Sequence, residues 1–488
     1  MFKSSSIAVT IACLLHTTLA HAEGYKLYEQ SVSSMGNAYA GRGAQISDAS
    51  LVQSNPAALS QLSSAQWAGG LNIIDAQTNY RDVAATNANG AVVVGRDSGK
   101  NSLLEAVPFA FFADQFNEDI HFGFGFYVPF GLSSDYANDW AGRYFADETA
   151  IQVLAIQGAV SYQLTPQWAL GLGLNLNYAE GTLSKTKDHN GLCETGPRIN
   201  LIYQRDVYTA AYCDSHYEVS GDDVAAGYSL GLHGQPFHHL KVALVYHSEL
   251  KFDLRGDSVI RNTPITGANA LGLPNFIVVA PQLPAIDKTT GKLAVQPTLT
   301  EASRLALTTP ANLMLSLDQQ LTTDWSWQAS LNWTGWSAFK HIEIVSDDAA
   351  PSLSLSTSQP QNLAKPGYIG YIPQYWHDSW STSVGLTVQA QPDLQLKTGI
   401  AYDENPIRQR HKTARVPTAD RLWWTLGANW AIDRHWTLDL AYGYMWMSAL
   451  TINEHEFNAL DQRIYQSQLQ ASFKNHAQVL GLQVNYRY

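Results

Sequence analysis

From Trp67 onward, apolar and polar residues alternate with a period of two, and the connections between the alternating stretches are short and long in turn. Between His435 and Met447, Trp436, Leu438, Leu440, Tyr442, Tyr444 and Trp446 fall on one face, and Thr437, Asp439, Ala441 and Gly443 on the other. The same division sets Leu170, Leu172, Leu174, Leu176 and Tyr178 against Gly171, Gly173, Asn175 and Asn177, and recurs over 380–388, 394–402 and 422–432. No later run approaches the roughly 18 consecutive apolar residues of a spanning helix, so a helical membrane protein is excluded. The apolar face must therefore meet a second sheet or lipid. Aromatics cluster towards the strand ends, and charged residues are only 15% of the chain, against about 25% in an average soluble protein. That combination points to lipid and to the aromatic girdles of a transmembrane barrel.

Fourteen strands are predicted, at 67–80, 105–116, 119–130, 150–164, 167–185, 216–233, 239–254, 304–321, 325–346, 378–391, 394–404, 420–432, 435–450 and 471–488. Tight turns at Asn117-Glu118, Thr165-Pro166, Gln235-Pro236-Phe237-His238, Thr322-Thr323-Asp324, Gln391-Pro392-Asp393 and Asp433-Arg434 alternate with seven long polar segments. Short turns inside and long loops outside are the asymmetry of an outer-membrane barrel, and an even strand count puts both ends on the periplasmic side. The expected fold is all-β: a 14-stranded antiparallel transmembrane β-barrel, over 67–488, with an N-terminal hatch plugging the lumen.

Residues 1–22 read as a cleaved signal, with Lys3, an apolar run from Ile7 to Leu15 and Ala20-His21-Ala22 as cleavage site. The hatch is assigned to 23–66. Its centre, Gly36 to Leu59, holds three glycines and six alanines, which suits close-packed irregular backbone better than a sustained helix or strand. Cys13 would leave with the signal, so Cys193 and Cys213 are the mature cysteines, expected to close a disulfide across a loop, with two free thiols as the other reading. A net charge of −12 argues against nucleic acid as a partner.

The small-residue stretch ending in Asn55, Pro56 and Ala57 resembles the hatch of the long-chain fatty acid transporter (FadL/TodX-like) family of outer-membrane proteins. The resemblance continues through Val128-Pro129-Phe130-Gly131-Leu132, Trp140-Ala141-Gly142-Arg143-Tyr144, Tyr246-His247-Ser248, Trp333-Thr334-Gly335-Trp336-Ser337 and Gly399-Ile400-Ala401-Tyr402-Asp403. Its most specific stretch adds Asn405-Pro406, Arg415-Val416-Pro417 and Asp420-Arg421-Leu422-Trp423. It implies a monomeric barrel that conducts hydrophobic molecules passively, without cofactor. External loops would capture the ligand, an inner pocket would hold it, and a hatch shift with an opening at a kinked third strand would release it into the membrane. Val484, Tyr486 and Tyr488 resemble the C-terminal signal read by the barrel assembly machinery.

Candidates follow for each part. Asn55, Pro56 and Ala57 form the gate corner. Leu271, Leu273, Phe276, Ile277, Val278 and Val279, an apolar cluster in a polar loop, offer a capture surface or pack against the neighbouring cysteine-bearing loop. Gly123 and Gly125 permit a strand kink or make room for the hatch. Arg143 and Arg421 could pair with a carboxylate head group or serve in structural ion pairs.

Three rival chemistries are weighed. Gly227-Tyr228-Ser229-Leu230-Gly231 has the form of a hydrolase elbow but lies in an alternating strand without a following helix. An outer-membrane lipase or esterase and a general porin remain as the other classes. His233, His238, His239 and His247 lack metal-ligand spacing and read as surface histidines at a turn. Long-chain fatty acids are the first substrate expectation, and aromatic or other hydrocarbons the second.

Overall fold

The computed structural model describes residues 24–188, 214–262, 298–348, 368–458 and 460–488. Nineteen strand stretches form one closed antiparallel sheet, and because five strands are interrupted once, the barrel has fourteen. These are β1 (Gln66–Thr86), β2 (Gly99–Gln115), β3 (Ile120–Asp135), β4 (Glu148–Thr165), β5 (Trp168–Asp188) and β6 (Asp214–Phe237). There follow β7 (Leu240–His247 and Leu250–Asn262), β8 (Thr298–Thr309 and Asn312–Gln320), β9 (Trp325–Thr334 and His341–Ser346) and β10 (Tyr368–Pro373 and Ser379–Gln391). The last are β11 (Leu394–Asp403), β12 (Arg421–Ala431), β13 (Trp436–Met447 and Leu450–Phe457) and β14 (Arg463–Arg487). β14 pairs with β1 from Gln66↔Arg487 to Thr86↔Gln468, which closes the wall.

The period-two pattern divides the wall as its chemistry requires. Leu174 and Leu176 are about three-fifths exposed, while Asn177 and Ala179 behind them are buried. Burying a leucine instead would contribute roughly 1.5–3 kcal/mol, so such a surface makes sense facing lipid. Trp67, Trp325, Trp430 and Trp436 ring the short-turn end; Tyr178, Tyr228, Trp380 and Trp446 ring the other. Among the described residues no helix is long and apolar enough to cross a membrane.

Several strands run past the expected limits: β1 continues to Thr86, β2 begins at Gly99 and β14 at Arg463. Beyond the outer girdle the outward face turns polar, as at Gln466, Gln468, Gln470 and Ser472 of β14, while Leu469, Ala471 and Phe473 are buried on the inward face, so the apolar outward pattern no longer marks the strand.

The segment before β1 lies inside the barrel. It contains two single-turn helices, α1 (Val32–Met35) and α2 (Leu51–Ser54), and a 3-10 helix, Pro56–Gln61. Ala40, Ala44, Ala49, Leu51, Val52, Ala57, Ala58 and Leu59 are fully enclosed. Irregular backbone at membrane depth needs partners other than its own ladder, and lumen-facing side chains supply them. Val32 N donates to Gln483 Oε1 at 2.8 Å, Lys397 Nζ to Ser33 O at 2.8 Å, Thr425 Oγ1 to Gly36 O at 3.0 Å, and Gly41 N to Ser330 Oγ at 2.9 Å. Gly36 and Gly427 touch so closely that a Cβ on Gly427 would lie 2.6 Å from Gly36 Cα. Small residues on both surfaces permit this approach.

Candidate functional site: a cavity at a break in the barrel wall

β2 and β3 separate part-way up the barrel. They pair from Gln115↔His121 to Ala110↔Phe126 and no further. Above that level β2 pairs with β1 alone, up to Gly99, and β3 with β4 alone, up to Asp135. The β3–β4 register shifts between Tyr127 and Phe130, around Val128 and Pro129. Pro129 has no N–H to offer a neighbouring strand, so a bulge and a vacant edge suit it.

That edge is taken by the N-terminal segment. Leu27 N donates to Pro129 O at 3.0 Å, Gly131 N to Tyr25 O at 3.0 Å, and Lys26 stands opposite Phe130 as a single antiparallel bridge. Gln30 Nε2 adds a bond to Val128 O at 3.1 Å. Gly24–Leu27 thus acts as a short extra strand where β2 has turned away. Its outer end is anchored by Tyr25, whose ring meets Trp336, Phe339, Trp376 and Phe130 at 4.8–5.9 Å. Such aromatic pairs contribute about 0.5–1.5 kcal/mol each beyond area burial.

Beside this strand lies a cavity of about 550 Å³. Ile74, Leu103, Val107, Leu132, Ile151, Trp423, Met445 and Met447 give it apolar walls. Arg421, Glu105, Glu148 and Asp403 add charge. The lining also includes Ala106, Gln152 and Glu180, which belong to the outward faces of their strands. The cavity therefore opens sideways through the break. The opening begins in the apolar band, at Phe126↔Ile156, and reaches Gln152↔Glu180, just beyond the girdle residue Tyr178.

The roof is the connection between β11 and β12, which crosses the mouth. Arg415 donates to Glu148 O (3.2 Å), Thr149 Oγ1 (3.1 Å) and Ser184 O (2.9 Å), on β4 and β5. Ala414 N donates to Glu454 Oε2 at 2.8 Å, and Tyr136 Oη to Ala414 O at 2.7 Å. Glu454 lies in the outer stretch of β13, beyond the girdle residue Trp446, and burial pushes its carboxyl up to about 7. Inside the lumen, burial also raises the Glu29 carboxyl, against the pull of Arg421 and Arg42.

Asn55 Oδ1 caps the 3-10 helix by accepting from Ala57 N at 3.1 Å, and Asn55 Nδ2 donates to Gly43 O at 2.7 Å and to Leu232 O of β6 at 3.4 Å. Ser161 Oγ of β4 donates to Ala57 O at 2.8 Å. The corner sits on two glycines, since a Cβ on Gly171 would strike Ala57 N and one on Gly231 would strike Asn55 Oδ1. Arg421 lines the cavity, and its Nη2 donates to Gly24 O at 2.8 Å and Thr418 Oγ1 at 3.2 Å.

Four expectations change. The kink is not at Gly123 or Gly125, which hold regular register with Ala113 and Phe111. They face Val52 of α2, so their smallness gives the inner segment room, and the bulge falls at Val128-Pro129. Arg143 is not a cavity residue; it lies in the β3–β4 connection, where Nη1 donates to Val94 O at 3.0 Å and the guanidinium covers the Tyr144 ring. His233 is no surface histidine: it is 2% exposed, with Nε2 3.2 Å from Ala44 O of the inner segment. β6 runs on through Phe237, so the turn into β7 is His238-His239. Ser229 is buried mid-strand, within reach of Gln157 Nε2 at 3.4 Å, as the alternation required. Leu271, Leu273, Phe276, Ile277, Val278, Val279, Cys193, Cys213 and residues 1–22 lie outside the described residues.

The roof and the extra strand were missed in the sequence. Pro129 was the available signal for the bulge. For Arg415 no local pattern distinguishes a loop folded inward from one in water.

Comparison with known proteins agrees with this architecture. The family model described as outer membrane protein transport protein (OMPP1/FadL/TodX) matches residues 13–488. The Long-chain fatty acid transport protein of Escherichia coli K12 is 24% identical over 464 residues, covering 93% of this chain and 94% of its own. Outer membrane protein P1 of Haemophilus influenzae is 27% identical over the full length of both chains. Among solved structures, a Pseudomonas aeruginosa FadL homologue superposes with a TM-score of 0.77 at 21% identity, over 95% of this chain and 100% of that one. The P. putida toluene transporter TodX does so with a TM-score of 0.60 at 17% identity, over 96% and 100%. These are transport proteins of the outer membrane and not enzymes. With its closed fourteen-stranded wall and a family match over nearly its whole length, this chain belongs to the OMPP1/FadL/TodX family of outer membrane transport proteins.

Proposed function

We propose that this protein carries long-chain fatty acids passively across the outer membrane's polar face and releases them sideways, through the break between β2 and β3. The observation that carries this reading is the continuity of the cavity with that break. A water-filled pore gives an acyl chain no reason to leave an apolar phase, whereas each methylene kept from water contributes about 0.8 kcal/mol. A volume of about 550 Å³ lies within the roughly 300–1,000 Å³ usual for small-molecule sites. The break rises from the apolar band to the head-group level, which suits a molecule leaving with its tail in the membrane core and its head at the surface.

In this reading the N-terminal segment is the hatch, Gly24–Leu27 its gating strand and the Asn55-Pro56-Ala57 corner its hinge. Lys26, Arg415 and Arg421 are the cations of a lining that also holds Glu105, Glu148 and Asp403, and they are the groups that would pair with the head of an acid. Hydrocarbon uptake by the same route is the second reading, supported by the likeness to the toluene transporter. The test is uptake of labelled oleate and labelled toluene by cells lacking their own transporter. Oleate uptake above empty cells supports the first reading and toluene uptake alone the second. Uptake of neither contradicts both.

A further inference from the structure

We propose that the outward face of β14, β1 and β2, just above the outer aromatic girdle, is a docking surface for a phosphate-bearing glycolipid of the outer leaflet, held by Lys100 and Lys474. The inference concerns the outside of the wall and does not depend on which molecule passes through it.

The register builds the surface. Asn79 of β1 stands opposite Lys474 of β14 on one side and Lys100 of β2 on the other. The row below is His476, Gln77 and Ser102, and His476 is paired with the girdle residue Trp446. Lys474 therefore emerges one rung beyond the girdle, at the level of the lipid head groups on the long-loop side of the barrel. Both lysines are exposed, whereas Tyr80, Phe473 and Asn475 beside this row are buried, so the ammonium groups point away from the lumen. Lower on the same face, the pairs Ile73↔Leu480 and Leu71↔Leu482 are exposed and give acyl chains an apolar bed.

Charge sets this row apart from the rest of the wall. Among the described residues neither Lys100 nor Lys474 has an ion pair. The nearby carboxylates are placed elsewhere: Asp82 is beside Arg81 at 3.5 Å, and Asp75 is two rungs below. The exposed cations of β7 and β8 differ, because each has its own carboxylate. Lys251 meets Glu249 at 2.8 Å, Arg255 meets Asp253 at 3.1 Å, Arg261 meets Glu218 at 2.8 Å and Arg304 meets Asp347 at 3.5 Å. Two like charges flanking a neutral asparagine do nothing for the fold. They suit an anion supplied from outside, and a basic cluster at head-group level is a lipid-phosphate site in form.

The shape of the row favours a glycolipid. Lys474 and Lys100 are two strand spacings apart, about 10 Å, and Gln77, Asn79 and Ser102 lie between and beneath them. Asn79 Nδ2 donates to Lys474 O at 3.3 Å, which leaves its oxygen as an acceptor. Two cations with neutral hydrogen-bonding groups between them match a head group that carries phosphates on a sugar core. A phospholipid with one phosphate would occupy one end of the row. Because β2 also borders the break in the wall, a lipid docked here would flank the opening.

The test measures retention of diphosphorylated lipid A, the same lipid A stripped of phosphate, and phosphatidylglycerol by purified full-length protein, read by native mass spectrometry. The parent protein should retain diphosphorylated lipid A several-fold more tightly than either of the others. The Lys100→Gln, Lys474→Gln double variant should raise its dissociation constant about tenfold, while Lys251→Gln, at a paired lysine, should leave it unchanged. Equal binding by parent and double variant, an equal loss in Lys251→Gln, or equal retention of the stripped lipid or of phosphatidylglycerol would overturn the proposal. If the double variant does not assemble, as judged by heat-modifiable migration, the three lipids on the parent protein still decide.

Discussion

The carbonyl of Pro129 accepts the amide of Leu27 at 3.0 Å, at a level of the barrel where β3 would otherwise be hydrogen-bonded to β2. An antiparallel barrel normally leaves no edge unpaired. Here the edge is made by a proline bulge and then covered by the chain's own N-terminal segment. The short strand Gly24–Leu27 occupies a break in the wall, and the cavity lies directly behind it.

The Asn55 corner should couple the inner segment to the wall. Asn55→Ala removes the cap on the 3-10 helix and the bonds to Gly43 O and Leu232 O, weakening the segment's seating by about 1–2 kcal/mol. Oleate uptake should fall several-fold while the barrel still assembles, as judged by its heat-modifiable migration on gels. Normal uptake by a properly assembled variant would contradict the hatch reading.

Gly171 and Gly231 leave no space for a side chain beneath that corner. Gly171→Leu should therefore displace the inner segment without unfolding the wall, since the substituted position stays within a regular β5–β6 ladder. The displaced plug should appear as stepwise ion conductance in a planar bilayer, where the parent protein conducts little. An assembled Gly171→Leu barrel that stays closed would show that the corner has another place to go.

The roof should respond to pH through Glu454. Its carboxyl is raised to about 7 by burial, from an ordinary value of 4.5. The sign follows: a raised pKa stabilises the closed roof fully below about 4.5, and the contribution is lost as pH rises through about 7. Hydrogen exchange at the Ala414 amide, corrected for the intrinsic effect of pH, should show protection falling across that window. Glu454→Gln, neutral throughout, should flatten the profile. A pH profile identical in the two proteins would remove Glu454 from the roof's control.

Much of this architecture was legible because lipid on one side and a packed lumen on the other impose a strict alternation. Trp436 to Trp446 and Leu170 to Tyr178 announced their strands, and the short turns fixed the side on which the chain ends lie. The brief interruptions in β7–β10 and β13 were not visible in the sequence; pairing resumes beyond them with a small register shift, as from Trp446↔His476 to Leu450↔Phe473. Of the two readings of Gly123 and Gly125, a strand kink or room for the inner segment, the second fits, since a Cβ on either would meet Val52. Pro129, two residues past the last regular pairs with β4, carried the stronger physical signal. His233 looked like a turn residue because the turn was placed too early. The reach of Arg415 across the mouth, to Glu148 and Ser184, depends on contacts more than 200 positions apart in sequence, which no local pattern encodes.

The central claim is that ligand leaves through the wall only when Gly24–Leu27 lets go of β3. The most direct measurement is labelled oleate uptake by cells expressing the Lys26→Cys, Phe130→Cys protein, before and after reduction of the cross-link, at matched surface levels. The account predicts uptake near that of empty cells while the bond is closed and recovery towards the uptake of the single-cysteine variants on reduction. Equal uptake in both states, with the cross-link verified, would contradict it.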